Sequence, residues 1–151
     1  MLNFNSNGYL EPFEAIEIDF EGAQRLLVWN EHRAHIWANF EVFIADLRII
    51  LVSSFSVWLN GSFATQKANP NDLDCVIFVD FEVYDMLETK LQIFKSLQYK
   101  KENYLDIYFV KTYPKEHKKK FFEDIDTKEW FFLFTKTRKK NINKGFLQLN
   151  F

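Results

Sequence analysis

The sequence predicts one α+β domain over residues 1–151, a small mixed β-sheet flanked by helices. Three observations lead there. Short apolar segments bounded by turn residues recur at 55–60, 72–79 and 103–111, which is the length and punctuation of buried strands. Two longer stretches, 20–52 and 81–97, place apolar residues three and four apart, as helices do. The last residues, GFLQLNF at 145–151, alternate apolar and polar like a further strand. At 151 residues the chain has the size of one ordinary domain with a full core.

In chain order, residues 1–19 mix polar turns with short apolar pieces and predict an extended lead-in with little regular structure. Residues 20–52 have no Gly or Pro after Gly22. Their apolar residues Leu26, Leu27, Ile36, Trp37, Phe40, Phe43, Ile44, Leu47, Ile50 and Leu51 predict one long helix or two separated at Asn30-Glu31, the second packed on the sheet. Ser53-Ser54 ends it. FSVWLN at 55–60 is the first strand, 62–71 a loop closed by the turn signal Asn69-Pro70-Asn71, and 72–79 the second strand. Residues 81–97 form an amphipathic helix with Val83, Met86, Leu87, Leu91, Phe94 and Leu97 on its apolar side. Residues 103–111 are the third strand. In the tail, Tyr113-Pro114 is a turn, Glu116 to Asp124 starts a helix, Trp130 to Phe134 is an aromatic run of helix or strand, and Arg138 to Lys144 is a basic loop.

Chemistry concentrates in VWLNGSFATQKANPNDLDCVIFVD, residues 57–80. Alternate side chains of a strand share a face, so Asp72 and Asp74 point the same way, with Leu73 and Cys75 opposite. Two carboxylates held together repel, and burying them unpaired is costly. A divalent cation removes that cost, and magnesium completes its shell with water and phosphate oxygens. Gly61 lets the backbone turn closely. Ser62 offers a hydroxyl and an N–H where a phosphate could be received. Lys67, in the loop between, is either a point-charge phosphate contact or an exposed surface lysine. A third strand-borne acid, Asp106, sits within NYLDIYFVK.

Gly61-Ser62, the spacer, Asp72-x-Asp74 and the later Asp106 resemble the G-S … D-x-D motif and third carboxylate of the nucleotidyltransferase superfamily, whose fold is like the palm of DNA polymerase beta. The whole chain also resembles a group of small bacterial proteins of unassigned function, through Asn7-Gly8-Tyr9-Leu10, the variant G-S-F-x-T-x-K … P-x-D-x-D at 61–74, and the Lys144-Gly145 ending. The superfamily resemblance implies transfer of a nucleoside monophosphate from an NTP to an acceptor hydroxyl on RNA, protein or a small molecule. It implies Mg²⁺ (or Mn²⁺) held by Asp72, Asp74 and Asp106 as a two-ion clamp, and a triphosphate held by Gly61, Ser62 and Lys67. Small members occur in toxin–antitoxin or phage-defence pairs, which suggests a partner-protein or RNA acceptor. Fold does not choose among these acceptors, and the oligomeric state is not legible. The alternatives are a catalytically idle interaction module on the same scaffold and a plain RNA-binding domain that uses the basic C-terminal tail.

Composition narrows the setting. Net charge is −2, so the chain as a whole is no polyanion trap. From Lys111 to Lys144, however, eleven Lys and Arg stand against five Asp and Glu, a net +6 that leaves −8 for the remainder. This asymmetry admits an RNA-binding tail. Phe121, Phe122, Trp130, Phe131, Phe132 and Phe134 interleave with it, and core filling is the favoured reading for these aromatics over stacking on bases. The single Cys75 excludes an internal disulfide framework and, read as a small core residue, fits a reducing cytosol. No apolar run reaches the ~20 residues that span a bilayer, and the N-terminus lacks the form of a signal peptide, so a cytoplasmic protein with no membrane role is expected. His32 and His35 are three apart on a helix, but without a third ligand they read as a surface pair, and His117 reads as exposed.

Overall fold

The computed structural model describes residues 2–98, 103–137 and 140–151. The lead-in contains three short strands, β1 (Asn3–Phe4), β2 (Leu10–Glu11) and β3 (Ala15–Glu17). β1 and β2 pair antiparallel as a two-stranded sheet, while β3 pairs parallel with β7 (Phe146–Asn150). These strands were not expected from the lead-in, because the partner of β3 comes from the opposite end of the chain and leaves no local pattern.

The long helical stretch is two helices, α1 (Phe20–Leu27) and α2 (Glu31–Leu51). Asp19 caps α1 by accepting from the Gly22 N–H at 2.7 Å, and Asn30 caps α2 by accepting from the Arg33 N–H at 2.9 Å, as side-chain oxygens do for the orphan donors of a first turn. Val52, with φ 51°, closes α2 in the left-handed conformation. Ile36, Trp37, Phe40, Phe43, Ile44, Leu47 and Leu51 are buried along one side of α2. Each is worth roughly 1.5–3 kcal/mol of apolar transfer, and together they line the larger core.

The middle of the chain then runs β4 (Ser56–Asn60), β5 (Leu73–Asp80), α3 (Phe81–Gln98), β6 (Leu105–Thr112) and α4 (Lys120–Phe134) before β7. The main sheet has five strands in the order β3-β7-β4-β5-β6. It is mixed: β7 and β4, and β4 and β5, are antiparallel, whereas β5 and β6 are parallel across the α3 crossover. This is the expected α+β architecture of a small mixed sheet with helices. One face, with Val57, Leu59, Cys75, Ile77, Val79, Ile107, Leu147 and Leu149, packs with α1, α2 and α3 in the larger core. The other, with Trp58, Val76, Phe78, Val110 and Phe146, packs with Phe134 and Trp130 of α4.

Some details depart from expectation. The buried side of α3 is Tyr84, Leu91 and Phe94, with Val83 and Leu87 partly covered, while Met86 is 76% exposed and Leu97 also faces out. At 100° per residue, Met86 lies off the line of 84, 87, 91 and 94. α4 starts at Lys120, not Glu116, and its aromatics do not all fill the core. Phe134 is buried and Trp130 partly so, but Phe121, Phe122, Phe131 and Phe132 are exposed: the first two lie in the N-terminal half of α4, and Phe132, at 100° per residue, points away from the side that carries Trp130 and Phe134. Arg138 and Lys139 of the expected basic loop lie outside the described residues. Among the described residues no helix is long and apolar enough to cross a membrane.

Candidate functional site

Asn60, the last residue of β4, is paired with Asp74 on β5, and Asp74 with Asp106 on β6. Residues in register on neighbouring strands point to one face, so Asn60, Asp74 and Asp106 form a row across three strands on the α4 side of the sheet. β5 begins at Leu73, one residue later than expected, so Asp72 lies in the turn ahead of the strand. Asp106 is the second residue of β6, which begins two residues later than expected. Both shifts place the acids at the end of the sheet where the β4–β5 loop emerges.

A cavity of about 580 Å³ opens there. Asp72, Asp74, Asp106, Gly61, Ser62 and Lys67 all line it, so every expected site residue is brought to one place. Trp130, Leu133 and Phe134 of α4 form an apolar wall, and Tyr9, Lys136 and Lys144 also line the cavity. Asp74 is buried and Lys67 exposed. A smaller recess beside it is bounded by Gly8, Tyr9, Thr65, Gln66 and Lys67, where Tyr9 bridges to Thr65 and the Gln66 N–H donates to the Gly8 carbonyl at 2.9 Å.

Gly61 has φ 74°, and a Cβ placed on it would lie 1.7 Å from Asp74 Oδ2. Glycine is needed there twice over: for the left-handed turn and because the Asp74 carboxylate occupies the space of a side chain. Asp106 accepts from the Tyr108 hydroxyl at 3.0 Å through Oδ2. Its Oδ1 is buried and has no hydrogen-bond partner among the described residues, a costly state for a carboxylate oxygen. Cys75 points to the opposite face and is fully buried, as its position beside Asp74 predicted. Burial pushes its thiol pKa well up, with the Asp74 and Asp106 charges adding to the effect, so it is a core residue rather than a nucleophile.

Residues that sequence reasoning missed hold the loop in place. Arg33 is fully buried on α2. Its guanidinium donates to the Leu27 and Phe63 carbonyls and, at 2.7 Å, to the Lys67 carbonyl. It lies over the Trp29 ring at 3.7 Å and the Phe63 ring at 4.4 Å. Desolvation lowers its pKa to about 10. Asn30 donates to the Ala68 carbonyl at 2.8 Å, and His32 Nε2 is 2.7 Å from the Pro70 carbonyl, which requires Nε2 to carry the proton. The start of α2 therefore grips the motif loop at four carbonyls. The signal was present: Arg33, Ile36, Trp37 and Phe40 share one helix face, and a cation on an apolar stripe needs polar partners. His32 thus belongs to this grip, and both His32 and His35 meet Tyr104 edge-on. His117, half-buried rather than exposed, is stacked on Tyr113 and tilted against Phe81. Lys144, 6% exposed, was also missed as a site residue. It donates to Asn60 Oδ1 at 2.7 Å and to the Gly61 carbonyl at 3.4 Å.

Compared with known proteins, residues 2–150 match the model of a family of unknown function, DUF6932. The chain belongs to the DUF6932 family. No curated protein and no solved structure matches it. In this DUF6932 chain, no group of three or more His, Cys, Asp or Glu among the described residues is arranged to hold a metal ion. The two carboxylates of the row nevertheless suit a hard divalent cation: they are in register, and one of their buried oxygens has no hydrogen-bond partner among the described residues. Asp74 and Asp106 would be its protein ligands, with Asp72 on the same cavity wall.

Proposed function

We propose that this chain is a metal-dependent nucleotidyltransferase, moving a nucleoside monophosphate from an NTP to an acceptor hydroxyl. One observation carries the reading. Asp74 and Asp106 are in register on adjacent strands and open, beside the Gly61-Ser62 turn, into a cavity of about 580 Å³, large enough for a nucleotide. In the reaction, the acceptor oxygen bonds to the α-phosphorus and the bond to the bridging oxygen breaks. Pyrophosphate leaves with the electron pair, and the hydroxyl proton passes to a carboxylate of the row. Bound Mg²⁺ or Mn²⁺ supplies charge neutralisation at the phosphates. The chain's own residues do the rest. Ser62 and Lys67 hold the triphosphate, Gly61 keeps the backbone close to it, and the α4 wall of Trp130, Leu133 and Phe134 excludes water from one side.

The alternative is a catalytically idle interaction module on the same scaffold. Incubation with each α-labelled NTP, Mg²⁺ or Mn²⁺, and total cell RNA and protein separates the two. Label entering a macromolecular pool, and lost in Asp74→Asn, supports transfer. No label in any pool, with no nucleotide-dependent thermal shift, supports the idle module.

A further inference from the structure

Lys144 lines the same cavity as the carboxylate row and the motif loop. A lysine is seldom buried unless its ammonium is held, and this one is built in from several directions. Its Nζ donates to Asn60 Oδ1 and to the Gly61 carbonyl. The Asn60 amide in turn donates to the Phe134 carbonyl at 3.2 Å. The Lys144 N–H donates to the Thr135 carbonyl at 2.9 Å, and the Gly145 N–H to the Leu10 carbonyl at 2.8 Å. A Cβ on Gly145 would lie 2.2 Å from the Pro12 carbonyl oxygen, so the backbone that carries Lys144 is wedged against the lead-in. The sheet, the end of α4 and the N-terminal strands together set the position of one ammonium group.

That position is informative. Asn60 occupies the third place in the row whose other members are Asp74 and Asp106. A carboxylate at residue 60 would extend the acidic row; instead the row ends in a neutral amide that orients a lysine into the same cavity. The cation lies next to the Gly61-Ser62 turn, where the proposed reaction puts the phosphates. Resting on that reading, we infer that Lys144 is a fixed positive charge for the nucleotide phosphates and stands in for a second metal ion, so that the site takes one divalent cation per chain. The row provides two in-register carboxylates, which suits one ion that draws its remaining ligands from water and phosphate. Lysine serves phosphate as a point charge, and its side chain here has little freedom left to lose on binding.

The test is a Mn²⁺ titration followed by electron paramagnetic resonance, with a non-hydrolysable α,β-methylene NTP analogue and the full chain. One Mn²⁺ per chain is expected in the wild type. Lys144→Met should weaken analogue binding at least tenfold in calorimetry, and Lys144→Arg should recover part of the loss. Two Mn²⁺ per chain in the wild type would overturn the inference while leaving nucleotidyl transfer standing. So would unchanged analogue affinity in a folded Lys144→Met. If Lys144→Met does not fold, as circular dichroism would show, the wild-type stoichiometry decides by itself. No analogue-dependent Mn²⁺ binding at all would remove both this inference and the reading it rests on, and the labelled-NTP assay would then be silent as well.

Discussion

Single atoms at the carboxylate row set the first expectations. The Oδ1 of Asp106 is buried with no hydrogen-bond partner among the described residues, which is costly for a carboxylate, and like charges on adjacent strands add to the cost. Asp106→Asn keeps the shape and removes one charge. It should leave the metal-free melting temperature unchanged or raised, by about 1 kcal/mol in stability. It should also abolish the extra stability that Mg²⁺ with NTP gives the wild type. Paired melts with EDTA and with Mg²⁺-NTP measure both; a loss of several kcal/mol in EDTA would mark Asp106 as a structural acceptor. Gly61 is tested differently. A methyl group there meets Asp74 Oδ2 and a positive φ, so Gly61→Ala should destabilise by at least ~1–2 kcal/mol and displace the Asp74 carboxylate. Urea melts and nucleotide-dependent thermal shifts should fall together. Lys67 is exposed on the cavity wall. Lys67→Ala should weaken NTP binding by about 1–2 kcal/mol, the size of a charge-assisted contact, with stability nearly unchanged. Unaltered affinity in calorimetry would make it a surface lysine only.

Elements work through their junctions. The N-terminus of α2 carries the β4–β5 loop through Arg33, Asn30 and His32. Arg33→Met would remove the donors to three buried or half-buried carbonyls and the cation over two rings. A cost of roughly 3 kcal/mol is expected, since unsatisfied buried groups carry the full desolvation penalty. Hydrogen exchange at residues 63–67 should speed up more than exchange in β5. Equal protection in wild type and variant would show that the loop holds itself. Arg33→Lys should not rescue, because one ammonium cannot reproduce the planar fork that serves several acceptors at once.

Across the whole molecule, charge and apolar surface are unevenly shared. The segment from Lys111 to Lys144 is net positive, and α4 within it shows Phe121, Phe122 and Phe132 to solvent. Exposed aromatics among lysines suit single-stranded nucleic acid as an acceptor. If so, RNA binding should fall steeply with salt. Reversing Lys118, Lys119, Lys120, Arg138, Lys139 and Lys140 should abolish it while NTP binding persists. A filter-binding series at rising salt checks this. Salt-independent binding, or no effect of charge reversal, would point to a protein or small-molecule acceptor.

Much of this protein is local and therefore legible in its residues. The helix break at Asn30 follows from a capping side chain, and the paired faces of β4 and β5 from alternation. The convergence of Asp72, Asp74 and Gly61-Ser62 needs only one loop that joins two neighbouring antiparallel strands. Asp106 could be placed on a strand from its apolar neighbours. Its register opposite Asp74 could not, because a parallel pairing is set by the length and packing of the α3 crossover. Contacts between distant parts of the chain were beyond reach for the same reason. Periodicity names which face of an element is apolar, not which element will meet it. The lead-in thus became sheet edge only by finding β7, Arg33 found the carbonyls of a loop 30 residues and more away, and Lys144 reached Asn60 across 84 positions of sequence. The chemistry of those two cations is written in their side chains, but their partners exist only once the chain has folded.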